Sequence, residues 1–575
     1  MATSTSAVPP LSRRGAGAGT GGLAAQWAEV LRCRDRLARR VAGRVGADGL
    51  VSAPCESRVL ESALLLALLT AEECAPEARD RLARYLKTTL DTRPPDAIQV
   101  ALGRAALGEA VPGDSFVQRA LAPVDHFTAE RKRLMFQTLL AELRAADFPR
   151  GPLEAFRAEG QQSWLQLEMR ALKVLAGFGT GAERAITEQD WAALAPAVRP
   201  GPVWEGNQLA RLLGLLALRK HPAHRPAVLE ALATVTAELR PDGGLPFITG
   251  MDVFATAIAG SALAGTSRPR ALLAAMADGL GAQQNRDGGF GFTRGVGQSD
   301  VDDASYSIEF LRAVAPGRHR RTITAAERYL LAQRNPDGGF PTFARGTRSE
   351  IAMTAAAVNA LAPEPAHRAV AERGLAFITG RAGRTDRSDR SDRLDRGDRP
   401  GRSGRAGRAG PAGRAAYSGP ERPVPARPYG ILERSWSRNA GNAVFRVTLA
   451  CDTLRPGADR ELRRAAGAVK RGAAAYLADV QNTDGGWGHQ PEDPSDPIST
   501  AYAVIALSRS PAHASARHRA LDHLVEAEQP GGGYVSRPDQ AGPRPLLYDV
   551  PALADVCVLL ALAHAVGPSG VRSAG

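Results

Sequence analysis

Three carboxylates lie within four residues in the stretch QSDVDDASYS, which covers residues 298–307. Asp300, Asp302 and Asp303 stand directly before an apolar run, so the simplest explanation is a helix start that Asp300 caps and whose dipole the other two complement. That explanation suits one acid better than three, because neighbouring ionised carboxylates repel one another unless one keeps its proton. A carboxyl group held neutral in this way can act as a general acid.

The acidic cluster follows one copy of an internal repeat that has to position it. A helical stretch, a Gln, an Asp-Gly-Gly turn and an aromatic residue recur at 275–292, 325–343 and 471–488, with degenerate copies at 236–247 and 522–535. Gly supplies such turns because it takes positive φ without penalty. A second apolar helix follows each turn, and a unit of this kind must stack on its neighbours to bury its apolar face. We therefore expect an all-α protein whose repeats close into an α/α toroid.

Composition limits the compartment. The apolar stretches ESALLLALL and CVLLALAHAV are too short to span a bilayer, which predicts no transmembrane segment. Residues 1–22 lack the apolar core of a secretory signal and are expected to form a disordered tail. The five cysteines include no CxxC pair, which suits a reducing compartment, so a cytoplasmic protein is predicted.

The formal net charge of +13 raises the question of nucleic-acid binding. Residues 381–427 carry 13 Arg against five Asp and one Glu, so about half of the net charge lies in this one segment. The segment has almost no large apolar side chains and is predicted to be a disordered insertion. It contains a single aromatic residue, Tyr417, and no recognition module, so we expect no nucleic-acid partner.

The repeat resembles the QW motif of triterpene and class II diterpene cyclases, and Asp300-Val301-Asp302-Asp303 matches their DxDD motif at a helix start. The chain is most similar to bacterial class II diterpene cyclases of the copalyl diphosphate synthase type, which are relatives of squalene–hopene cyclases. This resemblance implies two α/α toroids, a γ domain at 45–250 and a β domain at 23–44 plus 251–575, with the active site between them. Prenyltransferase β-subunits carry similar turns, so the repeat by itself indicates a fold and not a reaction.

The resemblance also implies roles for individual residues. Asp302 would protonate an alkene, with Asp300 and Asp303 tuning its acidity, and Asn439 and Asn442 would hydrogen-bond its carboxyl group. The resulting carbocation needs aromatic faces around it. Aromatic candidates, each of which also fits a core role, are Trp204, Phe254, Phe290, Phe292, Tyr306, Trp436 and Trp487.

The low aromatic content of 5% favours the diterpene branch over enzymes that fold squalene. We expect geranylgeranyl diphosphate to be cyclised to a bicyclic labdane-type diphosphate that keeps its diphosphate. A diphosphate calls for Mg²⁺, and Glu492, Asp493 and Asp496 are candidate ligands, although a loop of solvated acids at a helix start is the simpler explanation of them. A homodimer and a downstream class I terpene synthase are the expected protein partners. A squalene or other polyprenyl cyclase, and a non-catalytic toroid scaffold, remain alternatives.

Overall fold

The computed structural model describes residues 20–92, 95–109, 116, 128–380, 430–433 and 435–566. The predicted insertion at 381–427 and most of the predicted tail lie outside these residues. The first helix, Thr20–Ala42, begins within the last three residues of that predicted tail. In the described ranges, no helix combines the length and the apolarity needed to cross a membrane.

Among the described residues, six helices form a closed ring in which each packs on the next and the last packs on the first. Every residue of one of them is buried, as expected for a helix that is apolar on all faces. We call these the inner helices: Asp252–Ala264, Val301–Val314, Ile351–Leu361, Gly441–Asp452, Pro497–Leu507 and Ala552–Val566.

An outer layer of amphipathic helices surrounds this ring. Thr20–Ala42 belongs to the layer, because it packs on Ala514–Glu526 and on the last inner helix, Ala552–Val566. In the described part of the chain, this outer helix therefore precedes the second assembly and the ring of inner helices. The remaining helices of the layer are Arg270–Gly281, Arg320–Gln333, 368–380 and Arg460–Asp479.

Residues between the first outer helix and Asp252 build a second helical assembly. Its central helices also pack in a closed circuit: Val59–Ala71, Ala97–Ala106, Ala129–Glu142, Ser163–Thr180 and Gln208–Leu218. Around them lie Pro76–Thr92, Glu188–Ala192 and Arg225–Ala237. The expected all-α toroid architecture is confirmed, while the domain limits at 45–250 and 251–575 stay predictions.

Short elements complete the structure. Strand Ser57–Arg58 pairs antiparallel with Leu245–Pro246, and Gln540–Ala541 pairs antiparallel with Leu547–Tyr548. Short 3₁₀ segments lie mainly in the connections between helices: Leu153–Ala155, Glu183–Ala185, Ala195–Val198, Trp204–Gly206, Pro222–His224, Pro365–His367 and Pro511–His513.

The Asp-Gly-Gly turns share one hydrogen-bond pattern. The carboxylate of Asp337 accepts from the N–H of Gly339 at 2.9 Å and from the hydroxyl of Ser349 at 2.8 Å. The first glycine, Gly338, has φ +85°, and a Cβ there would lie 2.9 Å from the carbonyl oxygen of Arg373. The turns at Asp242, Asp287 and Asp484 repeat this pattern.

In two of the repeats a glutamine ties the turn to the next outer helix. Gln284 donates to the carbonyls of Gly288 and Thr322, both at 2.8 Å. Gln481 makes the equivalent bonds to Gly485 and Ala516 at 2.7 and 2.8 Å. These bonds link the end of one outer helix, the turn and the start of the next outer helix, which fixes where the following inner helix begins.

Replacing the first glycine of a turn should destabilise the protein. Because Gly338→Ala places a Cβ at positive φ and against a backbone oxygen, we expect the free energy of unfolding to fall by about 1–3 kcal/mol. Chemical denaturation measures this loss. Gly317→Ala is the matched control, since nothing lies within 4 Å of its Cβ position. Equal losses in the two variants would contradict this account of the turn.

Candidate active site

The acid cluster begins at the end of a turn and caps an inner helix. Asp300 N–H donates to the carbonyl of Phe290 at 3.0 Å, which joins the aromatic residue of the turn to the helix start. The Asp300 carboxylate in turn accepts from the N–H of Asp303 at 2.8 Å and caps Val301–Val314. The capping role is therefore real, but it occupies only one of the three acids.

Asp302 is bound by an arginine from another inner helix. The Nη1 of Arg446 donates to Oδ1 of Asp302, and Nη2 donates to Oδ2 at 3.1 Å. Arg446 is buried, whereas the Asp302 side chain keeps 16% of its surface exposed. The guanidinium carbon lies 4.9 Å from the centre of the Tyr306 ring. A two-pronged ion pair of this kind holds both groups in a fixed geometry.

Asp303 is the most deeply buried acid of the three. It is 3% exposed, and its buried Oδ1 has no hydrogen-bond partner among the described residues. Burial and the neighbouring Asp300 carboxylate raise the pKa of Asp303 well above its usual range. Burial also raises the pKa of Asp300 to about 6. Both shifts favour a cluster in which a carboxyl group keeps its proton.

Aromatic side chains surround the guanidinium of Arg446 within the ring. Phe254 meets Tyr306 edge-on with centroids 5.6 Å apart, and Phe445 stacks on Tyr502 at 5.1 Å. These four rings line a small apolar void of about 10 Å³ together with Arg446. The guanidinium that binds Asp302 is thus bordered by aromatic faces, which stabilise cationic centres.

A cavity of about 150 Å³ lies on the other side of the helix start, between the ring and the second assembly. Val301 N–H donates to the carbonyl of Thr342 at 2.9 Å, and Thr342 lines this cavity. The cavity shares Glu350, Ala541 and Arg544 with a larger cleft of about 1350 Å³. Its aromatic walls are Trp164, Phe247, Phe343 and Trp436.

Three cations line the smaller cavity: Arg131, Lys132 and Arg544. Lys132 is only 8% exposed. Burial and repulsion from Arg544 and Arg131 lower its pKa to about 6, and among the described residues only Glu168 opposes this shift. Glu168 is itself buried, which raises its pKa to about 8. Cationic side chains that cluster in a cavity are typical of a site for an anion.

Two relatives resemble the chain along nearly its whole length. It is 64% identical over 552 residues to a drimenyl diphosphate synthase of Streptantibioticus cattleyicolor, covering 94% of this chain and 96% of the relative. It is 53% identical over 550 residues to a drimenyl diphosphate synthase of Streptomyces showdoensis, covering 93% and 95%. The chain belongs to the class II terpene cyclases. No protein-family model matches it.

A solved structure shows the same fold as this cyclase. The ent-copalyl diphosphate synthase of Streptomyces platensis aligns with a TM-score of 0.50 at 17% identity, covering 94% of this chain and all of that one. At this identity the likeness concerns the fold. It agrees with the two-assembly helical architecture described above.

The two asparagines predicted beside Asp302 serve other purposes in this cyclase. The Asn439 side chain accepts from the N–H of Gly441 at 2.6 Å, and Asn442 is hydrogen-bonded to Tyr502. The structure instead gives Asp302 the guanidinium of Arg446 as its partner. Asn439 lies in the tight loop that precedes the helix Gly441–Asp452, and its side-chain amide is used within that loop.

The aromatic candidates divide by position. Phe290 is fully buried in its turn, and Trp487 is held in the core by a hydrogen bond from Nε1 to the Leu477 carbonyl at 2.9 Å. Phe292 contacts Trp164 edge-on at 6.0 Å, and Trp204 is partly buried against the core. The candidates that line a cavity are Phe254, Tyr306 and Trp436.

The predicted magnesium ligands do not come together. The Asp496 carboxylate caps its helix and accepts from Ser499 and Ser536, while Asp493 lies 3.9 Å from the guanidinium of Arg537. Glu492 is exposed. No group of three or more acid, His or Cys side chains in the described ranges is placed to hold a metal ion. These residues do not fit a bound Mg²⁺, and a magnesium requirement stays a prediction.

Sequence reasoning missed Arg446 and the three cavity cations. Arg446 lies in the middle of an apolar helix, GNAVFRVTLACD, and a charge at such a position is a usable signal of a buried partner. Lys132 and Arg131 carry a weaker signal, because ERKRL resembles an ordinary solvated helix face.

Removing the ionisable group of Asp303 should flatten the pH dependence of stability. A pKa raised in the folded state stabilises the protein at low pH, and this contribution is lost as pH rises above the usual carboxyl range through the folded pKa. Asp303→Asn cannot ionise, so its free energy of unfolding should fall less between pH 4 and pH 8 than that of the wild type. Chemical denaturation across this range measures the difference. Asp80→Asn, at an exposed site, should keep the wild-type slope; an unchanged slope in Asp303→Asn would contradict a neutral Asp303.

Proposed function

We propose that this cyclase converts farnesyl diphosphate into drimenyl diphosphate by protonating the terminal alkene. The observation that carries the proposal is the 64% identity, along almost the whole chain, to a drimenyl diphosphate synthase. Drimenyl diphosphate is a bicyclic C15 compound, so its acyclic isomer, farnesyl diphosphate, is the corresponding substrate. This C15 substrate replaces the C20 substrate expected from the low aromatic content, which the relatives do not favour.

In the proposed reaction the substrate gains one proton at the start, and the final cation loses one proton at the end. The O–H bond of the Asp302 carboxylic acid breaks. The proton adds to the less substituted carbon of the terminal alkene and leaves a tertiary cation on the other carbon. The two remaining alkenes supply the electron pairs that close two rings, and loss of a proton from the final cation gives the product. The diphosphate is retained because no step breaks its C–O bond. Asp300 and Asp303 keep the acidic proton in the cluster.

The diphosphate is placed against Arg131, Lys132 and Arg544 in this proposal. All three line the cavity between the two assemblies, and diphosphate oxygens accept hydrogen bonds from guanidinium and ammonium groups. An anion there offsets the repulsion among the cations that lowers the pKa of Lys132 to about 6. The hydrocarbon chain then runs along Phe343 and Trp436 toward the helix that begins at Val301.

A product assay tests the function. Purified protein is incubated with farnesyl diphosphate, with geranylgeranyl diphosphate and with squalene, each with and without Mg²⁺, and dephosphorylated products are analysed by mass spectrometry. We expect drimenol from the C15 substrate and no product with Asp302→Asn. Turnover of geranylgeranyl diphosphate alone would restore the C20 assignment. Product that survives Asp302→Asn would refute the acid, and no product from any substrate would favour a non-catalytic scaffold.

Lys132→Ala should weaken substrate binding. Loss of a charged hydrogen bond to the diphosphate should raise KM about 10- to 100-fold. Since Lys132 gains its proton below about pH 6 in the free protein, the wild-type KM should also fall as pH decreases toward 6, and the variant should lose that trend. Steady-state kinetics at several pH values measures both effects. Lys87→Ala, at an exposed position, should leave KM unchanged; an unchanged KM in Lys132→Ala would place the diphosphate elsewhere.

A further inference from the structure

We propose that Arg446 is the positioning residue of the general acid: it orients the Asp302 carboxyl and stabilises the carboxylate left by proton donation. The inference rests on the proposed protonation by Asp302. It adds a residue outside the DxDD motif. Arg446 takes the place beside the Asp302 carboxyl that the family resemblance assigned to Asn439 and Asn442. The observation behind it is the two-pronged ion pair between the guanidinium and both Asp302 oxygens.

The surroundings of Arg446 are those of a buried binding site and not of an ion pair on the surface. Arg446 is 2% exposed and lies in the middle of the inner helix Gly441–Asp452. Burying a guanidinium costs several kcal/mol, roughly, unless an ion pair and further contacts compensate for it. Asp302 supplies the ion pair, and the Tyr306 and Phe445 rings lie 4.9 and 5.8 Å from the guanidinium carbon. The buried Nε has no hydrogen-bond partner in the described part of the chain, so the contacts with Asp302 dominate.

The position of the charge matters for acid strength. A carboxylic acid that must protonate an alkene has to be a strong acid, because an alkene is a very weak base. A fixed cation beside the carboxyl group stabilises the carboxylate that forms as the proton leaves, which lowers the barrier to transfer. The Asp300 carboxylate acts in the opposite direction by repelling that new charge. The guanidinium and the Asp300 carboxylate thus set the acidity of Asp302 from opposite sides.

Other titratable groups also face this ion pair. Glu309 lies two helical turns beyond Asp302 on the same inner helix, and its burial raises its pKa to about 7. The remaining groups act on Arg446, on Tyr306, on Glu309 or on the acid cluster, from this helix and from neighbouring elements: Tyr306, Arg312, Tyr329, Tyr502, Tyr548 and Cys557. Since Arg446 is the one guanidinium bonded to the acid cluster in the described ranges, its removal should change the acid more than removal of any of these.

Kinetics of Arg446→Gln and Arg446→Lys test the role. We expect kcat of Arg446→Gln to fall about 100-fold, as for loss of one preorganised donor, with KM changed by about twofold or less. The wild-type rate should fall as pH rises, when the acid loses its proton. Without Arg446 the acid holds its proton more tightly, so this alkaline limb should move upward by about one pH unit. Arg446→Lys keeps the charge but not the paired geometry and should lie between the two.

A matched control separates this role from a structural one. Arg211 is also buried and pairs with Glu238 at 3.1 Å in the second assembly, so Arg211→Gln should lose stability without moving the pH limb. If Arg446→Gln behaves like Arg211→Gln, with an unmoved limb and unchanged kcat, Arg446 is only structural and the proposal is wrong.

Two further measurements keep this test separate from the proposed function. The kinetics use whichever isoprenoid diphosphate the wild type turns over, so a different chain length does not affect the result. Independently of turnover, a double-mutant cycle of Asp302→Asn and Arg446→Gln on the free energy of unfolding measures the pairing itself. Strong coupling supports the pair, and additive losses would overturn the proposal even if no substrate were found.

Discussion

The cost of placing three carboxylates, two of them buried, at one helix start is the constraint on which this structure depends. Two compensating charges are available there: the helix N-terminus, which Asp300 caps, and the guanidinium of Arg446, which binds Asp302. Among the described residues Asp303 is bonded to neither of these charges, and burial and the Asp300 carboxylate raise its pKa well above the usual range. The held proton that alkene protonation requires thus arises from an imbalance between acids and compensating charges.

The second assembly helps to position the acid cluster, although none of its described residues forms a hydrogen bond or ion pair with the three acids. The Glu205 carboxylate accepts from the N–H groups of Gly297 and Gln298, at 2.9 and 3.0 Å, and so fixes the loop that leads into the acid cluster. Ser163 N–H donates to the Gln298 side chain at 3.0 Å. The same assembly carries Arg131 and Lys132 into the interface cavity. Arg131 and Lys132 are therefore held on a different assembly from the acids.

Local features of the sequence predicted the fold and the capped helix start well, because turns and caps are set by neighbouring residues. The Asp337 turn and the Asp300 cap each need only a few positions of chain. Partners across the ring are different. Asp302 and Arg446 are separated by 144 positions, and their pairing depends on how two inner helices face each other. The predicted contact of Asn439 with Asp302 is not formed, because the Asn439 amide is used by its own loop. No local pattern shows which residues of one inner helix face another.

The aromatic residues show why a repeat position does not define a role. Phe290 and Phe340 occupy equivalent positions after their Asp-Gly-Gly turns, and both are completely buried. Phe292 and Phe343 follow two and three residues later and meet Trp164 of the second assembly. The first aromatic of each repeat therefore holds the ring together, and the next one faces the interface. Aromatic faces available to a substrate come from where a loop meets the other assembly, so the total aromatic content says little about the length of the chain that is cyclised.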